Sequence, residues 1–388
     1  MLAIGTVMGL GINAVVETLS RLSLVKFGRS APEVVSWNRP TTQSARRLVL
    51  RHGWNATAYQ ILNPGISHWF SAAGDAVVGY VVRKRVRVVA GAPVCAIERL
   101  PDVTREFERD ADDSGQTVCY FCAEARLESH YRGTNGYSMV QLGSQPAWDP
   151  VRWPQIVRGR PSLRGQLNRA HNKGVAIERW FALSADNITE LQRCLDQWLS
   201  SRGLPPLHFL VEPETLSHLA DRRVFVARRG GNVIGFLLAS PIPKRNGWLV
   251  EQNVRGPSAS NGTSELLLDA VMRSVAADGA TYVTLGLAPL SNLALGTAAE
   301  NPLWLRVVLG WIRAHGRRFY NFEGLESFKA KFQPDSWEPV YAISNEARFS
   351  VATLYAIAAA FSEGPPAVLI LRGILKAIRT EVNWLLGR

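Results

Sequence analysis

Residues 248–289, WLVEQNVRGPSASNGTSELLLDAVMRSVAADGATYVTLGLAP, constrain the fold more than any other stretch of the chain. Trp248, Leu249 and Val250 close an apolar run. A loop rich in Gly, Ser, Asn and Pro follows, from Arg255 to Thr263. Thr263 is placed to N-cap a helix in which Leu266, Leu267, Ala270 and Val271 share one face. Asp278-Gly279 stops that helix, and the β-prone run Thr281 to Leu287 reads as the next strand. The order is strand, polar loop, helix, strand. A loop that opens a helix leaves backbone N–H groups aimed outward. The helix N-terminus adds partial positive charge, and Arg255 adds a full one. The stretch therefore reads as a cradle for a phosphate or carboxylate. It matches neither a Walker loop nor a G-x-G-x-x-G fingerprint, and a capped helix after a long turn accounts for the same residues.

The rest of the chain repeats this logic. Of 388 residues, 47% are hydrophobic, enough for two or three folded domains. Thr42 to His52 reads as a helix, and Ala58 to Leu62 and His68 to Ser71 as short strands. A hairpin spans Ala76 to Val82 and Val86 to Ala90, with Arg83, Lys84 and Arg85 at its turn. Then come an acidic helix (Asp102 to Asp113), a strand (Thr117 to Ala123), a short helix (Ala125 to Arg132) and a strand (Tyr137 to Leu142). In the second half, a helix (Asp186 to Ser200) precedes a hairpin of Val224 to Ala227 and Val233 to Ala239, which leads into the 248–289 unit. Two similar α/β lobes in tandem are expected, with too little residue similarity for a sequence repeat. Flanking helices are expected over Met1 to Leu24, Asn301 to His315 and beyond Phe349. The last of these, Ala367 to Leu386, carries Arg372, Lys376 and Arg379 among apolar residues. Such a helix suits an anionic membrane interface, a domain face or a dimer contact.

Charge narrows the partners. The net charge of +12 favours polyanions: nucleic acid, anionic membrane or phosphorylated substrates. Arg160, Arg164, Asn168 and His171 follow spacings of four, four and three along one helical stripe, flanked by Arg169 and Lys173. Like charges at that spacing repel, and no acidic residues lace the face, so a bound polyanion is the expected counter-charge. Lys329 and Lys331 lie between Phe328 and Phe332, where aromatic packing holds a lysine stem while its head reaches a phosphate or carbonyl oxygen, or simply solvent. Cys119 and Cys122 form a lone C-x-x-C within an apolar strand. Without a second pair, they read as buried thiols of a reducing cytosol, not a zinc or redox site. Met1 to Val16 lacks the basic flank of a signal peptide and is too short and Gly-rich for a membrane span, which leaves a membrane-resting segment or a buried helix.

Four stretches, taken in order, resemble the catalytic domain of the lysyl- and alanyl-phosphatidylglycerol synthases. They are GRPSLRGQLNRAHNKG (159–174), WLVEQNVRGPSASNGTSELLLDA (248–270), LGLAPLSNL (285–293) and GLESFKAKFQPDSWEPVYA (324–342). The resemblance covers about residues 45–345. It implies an α/β fold of two GNAT-like lobes in tandem with terminal helices. The corresponding division is an N-terminal helix and linker (1–44), a first lobe with the basic helix (45–174), a second lobe with the active site (175–345) and C-terminal helices (346–388). It implies an enzyme in which a lipid hydroxyl takes the amino acid from aminoacyl-tRNA, working peripherally at the cytoplasmic face of the inner membrane. The partners so implied are aminoacyl-tRNA and an anionic phospholipid or membrane surface, with no metal or cofactor.

Carried over by position, Lys329, Lys331, Arg255 and Glu251 are the expected catalytic residues. Glu265, Gln252, Asn261, Arg160, Arg164 and Arg169 are expected to bind substrate, Glu265 through the amino acid's ammonium group. One departure stands out. The family's Asp-x-x-Arg pattern would put an acid three residues before Arg255. Gln252 stands there instead, with Glu251 one residue earlier. A second departure is that only about forty residues precede the matching region, where the synthases carry a many-helix membrane domain, so a peripheral relative is expected. Two other classes fit parts of the pattern. An acyl-CoA acyltransferase would hold pyrophosphate at 255–263, although the R/Q-x-x-G-x-G/A run is missing. A non-catalytic lipid- or RNA-binding relative is consistent with Gln252.

Overall fold

Alternating and continuous apolar runs become strands of one large sheet, and the 3.6-residue patterns become the helices that cover it. The structure, a computed structural model, describes residues 40–181, 184–201, 207–291, 293 and 322–362. The helices expected over 1–24, 301–315 and 367–386 lie outside these residues. Helix α1 (Pro40–His52) leads through a 3-10 turn (Tyr59–Leu62) to β1 (Ser67–Phe70), β2 (Val77–Arg83) and β3 (Val86–Ala90). Helix α2 (Leu100–Asp113), β4 (Thr117–Ala123), α3 (Ala125–Tyr131) and β5 (Ser138–Trp148) follow. The chain continues through α4 (Trp153–Gly159), α5 (Pro161–Asn172), β6 (Ala176–Trp180) and α6 (Ala185–Ser200). Next are β7 (Arg223–Arg229), β8 (Asn232–Ile242), β9 (Gly247–Arg255), α7 (Thr263–Ala277) and β10 (Tyr282–Thr284). The last described elements are β11 (Ala288–Pro289), α8 (Phe322–Ala330), β12 (Ser336–Ser344) and α9 (Val351–Ala360).

Three local readings change. The run Ala58 to Leu62 is a buried 3-10 turn and not a strand. Its backbone is satisfied locally, with Gln60 N–H donating to Thr57 O and Asn63 N–H to Gln60 O, both at 3.0 Å. A short apolar run carries no period to separate the two. The N-cap of α7 is Gly262, not Thr263, whose hydroxyl turns back to donate to Ser260 O at 2.8 Å. The strand expected over 281–287 ends at Thr284, and Gly286 then turns with φ +68.

The sheet has twelve strands among the described residues, in the order β1-β2-β3-β4-β12-β5-β10-β9-β8-β7-β6, with β11 pairing β5. Two neighbouring pairs are parallel, β3 with β4 and β9 with β10. Each brackets a helix, α2 in one case and α7 in the other, so the same β-loop-α-β unit appears in both halves. The long strand β5 pairs with both β12 and β10 and so runs between the halves. Strand β12 is antiparallel to both β4 and β5 and lies between them. Burial follows the sheet faces. Helix α2 buries Leu100, Val103, Phe107 and Ala111 against Val118 and Tyr120. Helices α4, α5 and α7 pack on the second half with Trp153, Leu163, Leu167, Leu267 and Val271, while α6 covers its other side through Leu191 and Leu195.

The two parallel pairs differ. Strands β3 and β4 stay paired as far as Ala90 and Phe121, and Gly91 N–H extends the ladder to Phe121 O at 2.7 Å. Residues 55–57 then seal the end. Asn55 donates to Cys122 O at 2.8 Å, and a Cβ on Gly91 would lie 2.3 Å from Thr57 Oγ1. Strands β9 and β10 share only three residue pairs, ending at Leu249 and Thr284. Strand β9 bulges at Glu251, where two of its residues oppose one on β8, and continues to Arg255 paired with β8 but no longer with β10. The bulge switches the facing of the strand, so Val250 packs in the core under α7 and Val254 in the core under α6.

Two partly buried ionic groups join the halves. Arg46 of α1 forms a fork with Asp221 at 2.5–2.6 Å, and Tyr59 donates to the same carboxylate at 2.9 Å. Arg245 holds Glu338 of β12 at 2.5 and 2.9 Å and Glu124 at 3.2 Å, and lies 3.5 Å from the Tyr282 ring centroid. Close packing also fixes the loop before α7. Gly262 has φ +96, and a Cβ there would lie 2.2 Å from Gln166 O of α5. Gly262→Ala is therefore expected to lose at least about 1–2 kcal/mol of unfolding free energy, read from urea denaturation, and an unchanged midpoint would overturn this account of the loop.

Candidate active site

The early end of the β9–β10 ladder leaves a notch in the second half, framed by β9 beyond its bulge, the 256–262 loop, the start of α7 and residues 285–287. The loop is fastened from behind. Arg229 donates to Ser260 Oγ at 2.9 Å and Ser258 O at 3.0 Å, and Gly256 N–H donates to Ile234 O at 2.9 Å. Among the described residues, no side chain caps the first turn of α7; Thr263 N–H donates to Ser260 O at 3.2 Å, which leaves the N–H groups of Ser264 and Glu265 for a ligand. Arg255 ends β9 exposed, with no acidic partner among the described residues. Asn261 is also exposed, in the loop itself. Asn253, on the notch side of the bulge, donates to Ser264 O at 3.3 Å.

Glu265 lies in the first turn of α7, buried to 9% exposure, and accepts from Lys331 Nζ at 2.6 Å. The Lys331 ammonium also sits 4.1 Å from the Phe328 ring centroid and 4.9 Å from that of Phe332. The acid is stabilised by the helix N-terminus and the lysine together, and the pair is half open to solvent on the lysine side. Lys329 has a different environment. It is 4% exposed, and its Nζ donates to Leu285 O, Gly286 O and Leu287 O, each at 2.8 Å. An ammonium has three hydrogens, so none is left for a substrate. Burial pushes this lysine down to about 7, while the three carbonyls favour its charged form. Lys329 clamps the segment that forms one wall of the notch.

Glu251 faces away from this group. Its oxygens accept from Arg222 Nε at 2.7 Å and Nη2 at 3.0 Å, with both side chains 3% exposed or less. Arg222 further donates to His218 O and to Asn63 Oδ1, so the pair belongs to the joint between the halves. Gln252 donates to Glu212 O at 3.0 Å and Pro213 O at 3.2 Å, on the α6 side of β9. The structure thus gathers Arg255, Asn261, Glu265 and Lys331 around the start of α7, puts Lys329 behind its wall, and separates Glu251 and Gln252 from them.

The basic helix adjoins this site, because Gly262 contacts α5 at Gln166 and Ala170. Helix α5 buries Leu163, Leu167 and Ala170 and leaves Arg164, Arg169, His171 and Lys173 exposed. Arg164 also folds back on Val157 O and Arg158 O. Arg160, at the junction of α4 and α5, is half-buried and its Nε lacks a partner among the described residues. Two supporting residues escaped the sequence reading. Arg229 read only as part of a hairpin turn, and Arg222 carried no signal, since its carboxylate partner lies on another strand.

Residues 46–344 match the model of the family described as phosphatidylglycerol lysyltransferase, C-terminal. The chain belongs to this family. Among curated members, a phosphatidylglycerol lysyltransferase of Bacillus subtilis is 24% identical over 291 residues, covering 74% of this chain and 33% of that protein. One of Staphylococcus epidermidis is 23% identical over 307 residues, with coverage of 76% and 35%. The chain therefore spans about a third of the length of these phosphatidylglycerol lysyltransferases. Among solved structures, the C-terminal domain of a protein titled a lysylphosphatidylglycerol synthetase, from Agrobacterium fabrum, superposes with TM-score 0.70 at 24% identity, covering 83% of this chain and 97% of that one. The L-PGS of Bacillus licheniformis gives 0.69 at 22%, with coverage of 87% and 96%. The fold is the mixed α/β fold of these two solved structures.

The placement of Glu251 generates a test. Glu251→Ala strands the buried Arg222 guanidinium and is expected to lower unfolding free energy by about 3–5 kcal/mol in urea denaturation. A fully stable variant would remove Glu251 from the structural joint and return it to the substrate site.

Proposed function

We propose that this domain transfers an aminoacyl group from aminoacyl-tRNA to a hydroxyl of phosphatidylglycerol or a related lipid, at the cytoplasmic face of the membrane. The observation that carries the reading is the notch of the second half. It combines a cation without an acidic partner among the described residues (Arg255), a helix N-terminus that no described side chain caps, and a buried acid held by an exchangeable lysine (Glu265 with Lys331). Family membership supports lipid aminoacyl transfer in general, and the exposed basic face of α5 beside the notch suits a tRNA backbone. We divide the fold functionally into a first lobe (45–174) and a second lobe (175–345), with β12 lent by the second to the sheet of the first.

In this reading, the amino acid's ammonium displaces Lys331 from Glu265 and brings the ester carbonyl under the start of α7. The freed Lys331, Arg255 and the first-turn N–H groups then meet the oxyanion that forms when the lipid oxygen attacks. A bond forms from that oxygen to the carbonyl carbon, the bond to the ribose oxygen breaks, and the hydroxyl proton ends on the released ribose. Lys329 positions the opposite wall. Asn261 lies at the mouth of the site, and Arg160, Arg164 and Arg169 bind the tRNA acceptor end electrostatically. Glu251 and Gln252 shape β9 from behind. The protein works peripherally at the inner membrane.

The deciding measurement is transfer of labelled amino acid from a total aminoacyl-tRNA pool into chloroform-extractable product, with phosphatidylglycerol vesicles present. RNase-sensitive label in the lipid is expected, falling at least about 100-fold in Lys331→Met, by analogy with removal of an oxyanion donor. Label entering lipid from acyl-CoA instead, or no transfer from either donor, would sink the proposal. The Lys331→Met variant keeps its fold if its urea midpoint is unchanged.

A further inference from the structure

The turn between β2 and β3 is built against local preference. Arg83 pairs with Val86, so Lys84 and Arg85 are the central residues of a two-residue hairpin loop. Both have positive φ, +48 and +64. Such a turn favours Asn-Gly, because a long side chain in the left-handed region is strained. Two cations occupy it here, and strain of this kind points to a use for the charge. Arg85 turns toward α2 and donates to Gly115 O at 3.1 Å. Arg83 and Lys84 turn to the other face of the sheet, against α9. Arg83 Nε donates to Ala359 O at 3.1 Å, and the Lys84 ammonium lies 4.1 Å from the Tyr355 ring centroid.

Helix α9, VATLYAIAAA, contains no charged residue. It buries Ala356, Ile357 and Ala360 in the core of the first half. Its outer face is apolar as well. Val351 is 70% exposed, Ala352 and Ala358 are exposed, and Tyr355 is half-buried under Lys84. A surface helix ordinarily turns charge outward, so this stripe is built for something other than water. At the far end of α9, where His208 N–H donates to Phe361 O at 3.2 Å, Leu207 and Val211 expose more apolar surface. Arg348, three residues before the helix, is exposed. Arg83, Lys84 and Arg348 hold no carboxylate among the described residues, whereas Arg46, Arg87, Arg222 and Arg245 each hold one. Glu346, the one acid of residues 345–362, is taken up by the hydroxyls of Ser344, Ser350 and Thr353.

An apolar stripe rimmed by cations fits three kinds of partner unequally. A nucleic acid would pair with the cations and leave the stripe in water. A second copy docked about a twofold axis would set each rim against its own like charges. An anionic lipid surface answers both features, because the rim meets phosphates while the stripe enters the headgroup layer. We propose that the β2–β3 turn and the outer face of α9 form a membrane-docking face, fitted to an anionic lipid surface whatever its headgroup. Strands β3, β4 and β5 run one way, and β12, β10 and β9 the other. The β2–β3 turn and the end of β9 therefore lie at the same end of the sheet, so docking places the membrane at the end where the notch opens. That link alone rests on the transfer reaction; the docking face itself does not.

The test is flotation of the intact chain with vesicles of phosphatidylcholine, alone or mixed with phosphatidylserine, an anionic lipid that is not the proposed acceptor. Binding is expected to the anionic vesicles only and to weaken with added salt. Lys84→Asn removes a rim charge and puts in the turn a residue that tolerates positive φ. It is expected to weaken binding about fivefold, with a urea midpoint at or above that of the parent chain. Val351→Asp, at an exposed position in the first turn of α9, is expected to weaken it at least about fivefold. Arg109→Gln, exposed on α2 across the sheet, is expected to leave it unchanged. These results support the docking face even if no label reaches lipid in the transfer assay. Failure to float with anionic vesicles, equal flotation with both vesicle types, or binding that ignores Lys84→Asn and Val351→Asp overturns the proposal. So does loss through Arg169→Gln or Arg255→Gln alone. A dimer in size-exclusion chromatography that Val351→Asp dissociates would assign the stripe to a second copy and overturn it as well.

Discussion

The parallel ladder between β9 and β10 stops after three residue pairs, and the candidate site exists because of it. Two parallel strands that part leave unpaired backbone groups on both edges, and such groups must find partners or a ligand. On the β10 side, the protein supplies one partner for three carbonyls at once, the buried Lys329 ammonium. On the β9 side, the bulge at Glu251 turns the strand so that Asn253 and Arg255 face the start of α7. The equivalent opening in the first half is closed by Asn55 and Thr57. The same supersecondary unit thus serves once as scaffold and once as site.

The two halves are held at fixed register by ions buried at their seam. Arg222–Glu251 is nearly dry and Arg245–Glu338 is partly buried, and each is braced by an aromatic ring, Tyr59 for the first and Tyr282 for the second. Removing Arg222 or Glu251 leaves a charge without water or partner, which is why the geometry resists change. Burial raises Glu124 to about 7, against the pull of Arg245, so this part of the seam is sensitive near neutral pH. As pH falls through that value, Glu124 takes up a proton and its attraction for Arg245 is lost.

Much of the frame was legible in the sequence. The hairpins β2–β3 and β7–β8 follow from β-branched runs around charged turns, and the exposed basic face of α5 follows from helical spacing against Leu163 and Leu167. The loop before α7 announced itself by composition. What stayed hidden depends on contacts between distant residues. Nothing near Lys329 in the chain signals three carbonyl acceptors from residues 285–287. The bulge at Glu251 is a matter of pairing with β8, and it separates two neighbours, Glu251 and Arg255, that spacing alone would have put to common use. The 3-10 turn at Tyr59–Leu62 was unreadable because four buried residues show no period.

The position of β12 bears on how the protein forms. Residues 336–344 lie between β4 and β5, whose own residues are made some two hundred positions earlier. Until that late segment is synthesised, β4 and β5 each keep an open edge, able to pair with another chain. The N-terminal half therefore cannot finish its sheet as it emerges from the ribosome. Closing such a long-range ladder is slow, and the waiting intermediate is the species most exposed to aggregation. A chain cut short before β12 would leave β1–β4 unjoined to β5, even though the missing residues belong to the other end of the sequence.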